Sequence, residues 1–75
     1  MIYIYESCWG GLYVSDEEIP LEDLYCEEYG DTDWLGIESD NLQDVRAYLD
    51  SQSDRYSEEE LSSIFEQCKT MLEAE

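Results

Sequence analysis

The chain contains no histidine. That absence removes the commonest general base, the usual activator of a nucleophile and the commonest metal ligand. A thiol nucleophile would need another activating base or cation. Lys69 follows Cys68 in sequence, but adjacent residues of a helix do not face each other. No glycine-rich phosphate loop occurs. Carboxylates are so dense that a pair at any spacing is expected, and none stands out as catalytic. The expectation is a protein that is not an enzyme and carries no cofactor.

Basic residues are nearly as scarce. Three Lys and Arg stand against 21 Asp and Glu, a formal charge of -18 on 75 residues. Phosphate contacts and anionic membrane surfaces both call for Lys and Arg. Direct binding of nucleic acid or membrane is therefore not expected. Solubility alone needs a net charge of magnitude only ~2–8 in a small domain, and self-repulsion at higher density weakens the compact state. The natural partner of such a surface is a basic one.

Long apolar runs are missing too. Nothing approaches the ~20 residues of a membrane span. The start, Met1 to Glu6, lacks the basic flank and apolar stretch of a signal peptide. The three cysteines, Cys8, Cys26 and Cys68, are odd in number, which argues against a closed disulfide framework. The expected setting is a reducing, cytoplasmic one.

What remains is enough to fold. Apolar residues make up 43% of the chain and seven tyrosines are present, too much for a disordered acidic tail. The length allows one small domain. Residues 1 to 38 read as β-rich, and residues 39 to 75 as helical. Met1 to Glu6 alternates Ile2 and Ile4 with Tyr3 and Tyr5, the period of a strand. Gly10-Gly11 marks a turn, and Leu12 to Val14 returns as a second strand. Leu21 to Asp33 admits two readings. Pro20 can open a helix carrying Leu21, Leu24 and Tyr25 on one face. The favoured reading is a second hairpin, with Leu24-Tyr25-Cys26 paired through a Gly30 turn to Trp34–Ile37.

The helical half is plainer. Asp40 and Gln43 suggest a capped helix over Asn41 to Asp50, with Leu42, Val45 and Leu49 on one face. Ser57-Glu58-Glu59-Glu60 is a capping box, flanked by Tyr56 and Leu61 where a hydrophobic staple would sit. The glutamates suit the helix dipole. Leu61, Ile64, Phe65, Cys68, Met71 and Leu72 form one apolar stripe. That stripe needs the β half as its cover, and it makes Cys68 a core residue. The expected fold is α+β: a small antiparallel sheet of two hairpins packed against two C-terminal helices.

Two metal signatures are incomplete. Cys26-Glu27-Glu28-Tyr29-Gly30 has the outline of a C-x-x-C-G zinc knuckle, with Tyr29 in place of the second Cys. Three scattered cysteines and no histidine fall short of four such ligands. Asp31-Thr32-Asp33-Trp34-Leu35-Gly36 begins like a calcium loop. Leu35 and Leu42 occupy positions that should supply oxygen. No specific metal site is expected.

The candidate partner-binding residues are therefore acidic and aromatic. They are Asp16, Glu17, Glu18, Glu22, Asp23, Glu27, Glu28, Asp31 and Asp33 in the β half, Glu59 and Glu66 on the last helix, and Trp9 and Tyr29 among them. Duplex DNA carries one negative charge per ~1.7 Å of axis, and a carboxylate surface can approximate that potential. Tyr3, Tyr5, Trp9, Tyr13, Tyr25, Tyr29, Trp34 and Tyr48 are too many for so small a core. Those left outside can anchor a partner or stack on its Arg side chains.

In size, charge and its mixture of aromatic and acidic residues, the chain resembles the small DNA-mimic inhibitors of phages and mobile elements, including anti-restriction and anti-CRISPR proteins. Its opening, Tyr3-Ile4-Tyr5-Glu6-Ser7-Cys8-Trp9-Gly10-Gly11-Leu12-Tyr13-Val14-Ser15-Asp16, also resembles small proteins of such elements in Gram-positive bacteria. Some of those carry a C-x-x-C-G knuckle where this chain has Cys26 and Tyr29. The resemblance covers roughly residues 2 to 37. The mimics share a strategy and not a fold, so no residue role transfers. The resemblance implies an inhibitor that occupies the basic nucleic-acid site of a defence nuclease, such as a CRISPR effector, inside a host bacterial cell. The alternative is an adaptor or homodimeric module using exposed Tyr and Trp.

Overall fold

The computed structural model describes residues 1–27 and 30–74. Among these residues, five strands and three helices follow in order: β1 (Ile2–Glu6), β2 (Leu12–Ser15), α1 (Leu21–Leu24), β3 (Tyr25–Cys26), β4 (Asp31–Thr32), β5 (Trp34–Ser39), α2 (Leu42–Ser51) and α3 (Glu58–Ala74). The architecture is α+β. Strands β2, β1 and β5 form an antiparallel sheet in that order, and β3 and β4 form a separate two-stranded ribbon.

The first hairpin forms as its alternation predicts. Tyr3 pairs with Ser15 and Glu6 with Leu12. Gly10 and Gly11 both take positive φ, 86° and 120°, which residues bearing a Cβ seldom adopt. That freedom lets the Ser7 N–H reach the Gly11 carbonyl at 2.9 Å and close the turn.

The second hairpin needs correction. Tyr25–Cys26 pairs with Asp31–Thr32, and Trp34–Ser39 pairs with β1. Trp34–Ile37 is therefore not the returning partner of Leu24-Tyr25-Cys26. Leu24 instead ends a single helical turn, in which Pro20 O accepts from the N–H groups of Asp23 and Leu24. The physical reason is ladder length. The free edge of β1 satisfies more backbone groups of β5 than a two-residue strand can.

Helix α2 is capped by Asn41 and not by Asp40. Asn41 Oδ1 accepts from the Gln43 N–H at 2.8 Å. Ser39, at the end of β5, accepts from the Asn41 N–H at 3.0 Å and so sets the turn one residue further on. Helix α3 starts where its capping box predicts, with Ser57 Oγ accepting from the Glu60 N–H at 3.2 Å.

Both long helices cover one face of the sheet. Ile2, Ile4, Val45, Leu49, Ile64 and Cys68 are buried there, with Leu12, Val14, Ile37, Leu61, Phe65 and Leu72 packed around them. Each fully buried aliphatic side chain contributes ~1.5–3 kcal/mol. Cys68 is fully buried in this core, as the stripe requires.

One buried acid sits at the rim of this core. Glu6 is 6% exposed. Its Oε1 accepts from the Tyr48 hydroxyl at 2.9 Å, and its Oε2 lies 3.6 Å from Arg55 Nη1. Tyr48 reaches it by crossing Gly36, where the β1–β5 register shifts. A Cβ on Gly36 would overlap the Tyr48 hydroxyl and lie 2.6 Å from its Cζ. Glycine is required there by contact, since its φ is not positive.

Candidate functional site

The pleat sends Tyr3 and Tyr5 to the face of the sheet away from the long helices. Tyr5 is nevertheless only 2% exposed. Its ring stacks on Tyr13 with centroids 5.6 Å apart, and its hydroxyl accepts from the Ile19 N–H at 2.9 Å. The segment from Asp16 to Asp33 is thus a strap tied to this second face. Leu24, 7% exposed, is its own buried apolar contribution.

The far end of the strap is tied more firmly. The Asp33 N–H donates to the Leu24 carbonyl at 2.9 Å. Asp33 Oδ1 accepts from the Cys8 N–H at 2.8 Å, and Oδ2 accepts from the Tyr13 hydroxyl at 2.7 Å. Cys26 Sγ lies 3.5 Å from the same Oδ1. Burial raises the Asp33 pKa, but these donors outweigh it and hold the carboxyl below its usual value. Burial, and then the hydrogen bond to Asp33, pushes the Tyr13 hydroxyl well up. Burial, then hydrogen bonds to Cys26 and Asp33, push the Cys8 thiol up to about 12. An unliganded Cys8 is therefore a poor nucleophile at neutral pH.

Between these ties the strap is acidic and outward-facing. Asp16, Glu17, Glu18, Glu22, Asp23, Glu27 and Asp31 are all exposed. No Lys or Arg precedes Arg46 in the sequence, so no basic side chain interrupts the strap. Of the three bases, Arg55 is drawn to Glu6 and Arg46 lies over the Phe65 ring at 6.0 Å. Exposed apolar side chains share this half of the molecule: Trp9 at 67%, Tyr25 at 53%, Trp34 at 48% and Leu35 at 41%.

The structure therefore sorts the candidate residues. The seven strap acids and Trp9 are exposed in the β half. Glu59 and Glu66 are exposed on α3, which packs on the opposite face of the sheet from the strap. Asp33 is partly exposed, and both its oxygens are engaged in tying the strap to the sheet. Glu28 and Tyr29 lie outside the described residues. Tyr5 leaves the pool of exposed aromatics, whereas Tyr3, Tyr13 and Tyr48 are partly covered.

One grouping was not legible in the sequence. The cysteines are not all scattered: Cys8 and Cys26 converge with Asp33, one ligand atom of each lying within 4.8 Å of the others. Cys8 sits in the β1–β2 turn and Cys26 on β3, and only the folding-over of the strap joins them. The third ligand atom is a carboxylate oxygen, from Asp33, and not a Cys or His atom.

Searches against protein-family models, curated proteins and solved structures returned no match. No helix among the described residues is long and apolar enough to cross a membrane.

Proposed function

We propose that this protein is a non-enzymatic DNA mimic that occupies the basic nucleic-acid-binding site of a host defence nuclease, with a CRISPR effector as the foremost target. The observation that carries the reading is the strap. Eight acids lie between Asp16 and Asp31 without one Lys or Arg, and the seven described ones are exposed. Ile19 near one end and Asp33 at the other are hydrogen-bonded to the sheet, and such ties lower the entropy lost on docking. Trp9, Tyr25 and Trp34 supply aromatic anchors in the same half of the molecule.

Such a ligand binds fast at low salt and loses affinity as salt rises. The test is a panel of CRISPR effectors and restriction nucleases assayed for DNA cleavage with and without the protein. A susceptible nuclease is inhibited, and its binding to the protein competes with duplex DNA. Charge reversal of Glu17, Glu18, Glu22 and Asp23 to Lys abolishes the inhibition. Simultaneous binding of DNA and protein, with no mutual loss of affinity, refutes the mimicry.

A second reading rests on one observation. Strand β5 is an edge of the sheet and exposes Trp34 and Leu35, and an exposed apolar edge is a template for pairing with another chain. On this reading the protein is an adaptor or a homodimer. Light scattering at micromolar concentration decides it: a stable dimer that ignores basic proteins favours pairing over mimicry.

A further inference from the structure

We propose that Cys8, Cys26 and Asp33 form a binding site for a thiophilic divalent cation of zinc-like chemistry. The three donor atoms already lie within 4.8 Å of one another. In a tetrahedral zinc site, with Zn–S ~2.3 Å and Zn–O ~2.0–2.2 Å, neighbouring ligand atoms stand ~3.6–3.8 Å apart. Cys26 Sγ and Asp33 Oδ1 already stand 3.5 Å apart, and no separation exceeds 4.8 Å, so no pair has to close by more than ~1.3 Å, a shift within the range of side-chain rotation.

The carboxylate is oriented before any ion arrives. The Cys8 N–H holds Asp33 Oδ1 and the Tyr13 hydroxyl holds Oδ2. Ligating carboxylates are characteristically held in this way by outer hydrogen bonds. The donor set of two sulfurs and one oxygen selects the metal class. Calcium and magnesium take oxygen shells, whereas thiolates suit zinc and its softer neighbours. Three protein ligands leave a fourth position for water or another donor. Binding releases one proton from each thiol to solvent while two metal–sulfur bonds and one metal–oxygen bond form. No electron is transferred, so no oxidant or reductant is required.

The three ligands come from the β1–β2 turn, from β3 and from the residue preceding β5. An ion among them would clamp the strap to the sheet and add metal-binding energy to folding. The site is internal to the strap's attachment and stands apart from the exposed acids, so it does not depend on the target of the acidic surface.

The test uses reduced, metal-stripped protein titrated with Co2+ and then Zn2+ at physiological salt, against a competing chelator. One equivalent of Co2+ should produce sulfur-to-metal charge-transfer absorption and tetrahedral visible bands, both erased by Zn2+. Cys8→Ser and Cys26→Ser should each abolish the charge-transfer band or weaken binding at least ~10-fold. Tyr13→Phe, which loosens the carboxylate, should weaken it ~10–100-fold. Cys68→Ala should leave it intact. Binding without a sulfur band, or with equal affinity in Cys8→Ser, would reduce the effect to surface carboxylates and overturn the proposal. So would a Cys8–Cys26 disulfide in protein purified without reductant, seen as one free thiol and a mass lower by two hydrogens. The wild-type spectrum is decisive even if a serine variant fails to fold.

Discussion

Replacing Gly36 with Ala tests how the sheet edge is joined to the helices. The new Cβ would lie 2.6 Å from Tyr48 Cζ and 3.2 Å from Cε1, and would overlap the hydroxyl as well. Tyr48 must swing away, since β5 is held to β1 on one side by its ladder. Its hydroxyl then leaves Glu6 Oε1, now 2.9 Å away. Glu6, 6% exposed, keeps only the 3.6 Å approach of Arg55. A hydrogen bond to a charged group is worth ~1.5–3 kcal/mol, and overpacking costs ~1–3 kcal/mol. These share one cause and do not add fully, so the expected loss is ~2–4 kcal/mol. A domain of this length has a total stability of only ~4–11 kcal/mol, and each kcal/mol moves Tm by ~4–8 °C. Urea and thermal melts of Gly36→Ala, Tyr48→Phe and the double variant form the assay. Tyr48→Phe alone should cost ~1.5–3 kcal/mol. The double variant should lose less than the sum of the two, because a phenylalanine released from Glu6 can move aside. Strict additivity, or a Gly36→Ala loss under ~0.5 kcal/mol, would refute the coupling of Gly36, Tyr48 and Glu6.

Other outcomes follow from the same structure. Ser57→Ala removes the cap on the Glu60 N–H and should lower stability by ~1 kcal/mol, read by urea melts. Burial pushes the Cys68 thiol from its ordinary 9.0 up to about 11. Burial and the contact with Glu6 raise the Tyr48 hydroxyl as well. Raised values mean that the unfolded chain ionises first. The stability these groups confer is full below pH 9 and is lost as pH climbs through their folded values. Thermal melts from pH 8 to 11 should therefore fall, less steeply in Cys68→Ala, and a flat profile would contradict this. The charge of -18 makes self-repulsion a standing cost, so Tm should rise as sodium chloride screens it. A melt insensitive to salt would show that the carboxylates are too far apart to repel.

The parts of the fold that could be read beforehand rest on local chemistry. Ser57 and Glu60 lie within one turn of each other, and Leu61 to Leu72 repeats on one helical face, so α3 was legible. So was the first hairpin, because Ile2 and Ile4 alternate with tyrosines and Gly10-Gly11 supplies the turn. The choice between Asp40 and Asn41 as cap was not legible, because both side chains suit the role and Ser39 decides between them by bonding the Asn41 N–H. The pairing of Trp34–Ser39 was not legible for a different reason. An edge strand carries no mark of its partner, and the hydrogen bonds of β1 reward it only across a long loop.

For the acidic surface, sequence alone determined the sign and density of charge, the lack of histidine chemistry, and the need for an α+β core. Those follow from counts and from contacts within a turn. Tertiary structure decided which acids share that surface. It buried Glu6 against Tyr48, engaged the partly covered Asp33 with Cys8 and Tyr13, and left Asp16, Glu17, Glu18, Glu22, Asp23, Glu27 and Asp31 facing water. It also drew Cys8 and Cys26 to one carboxylate. Residues far apart in the chain meet only when the strap folds across the sheet, and no local spacing records that closure.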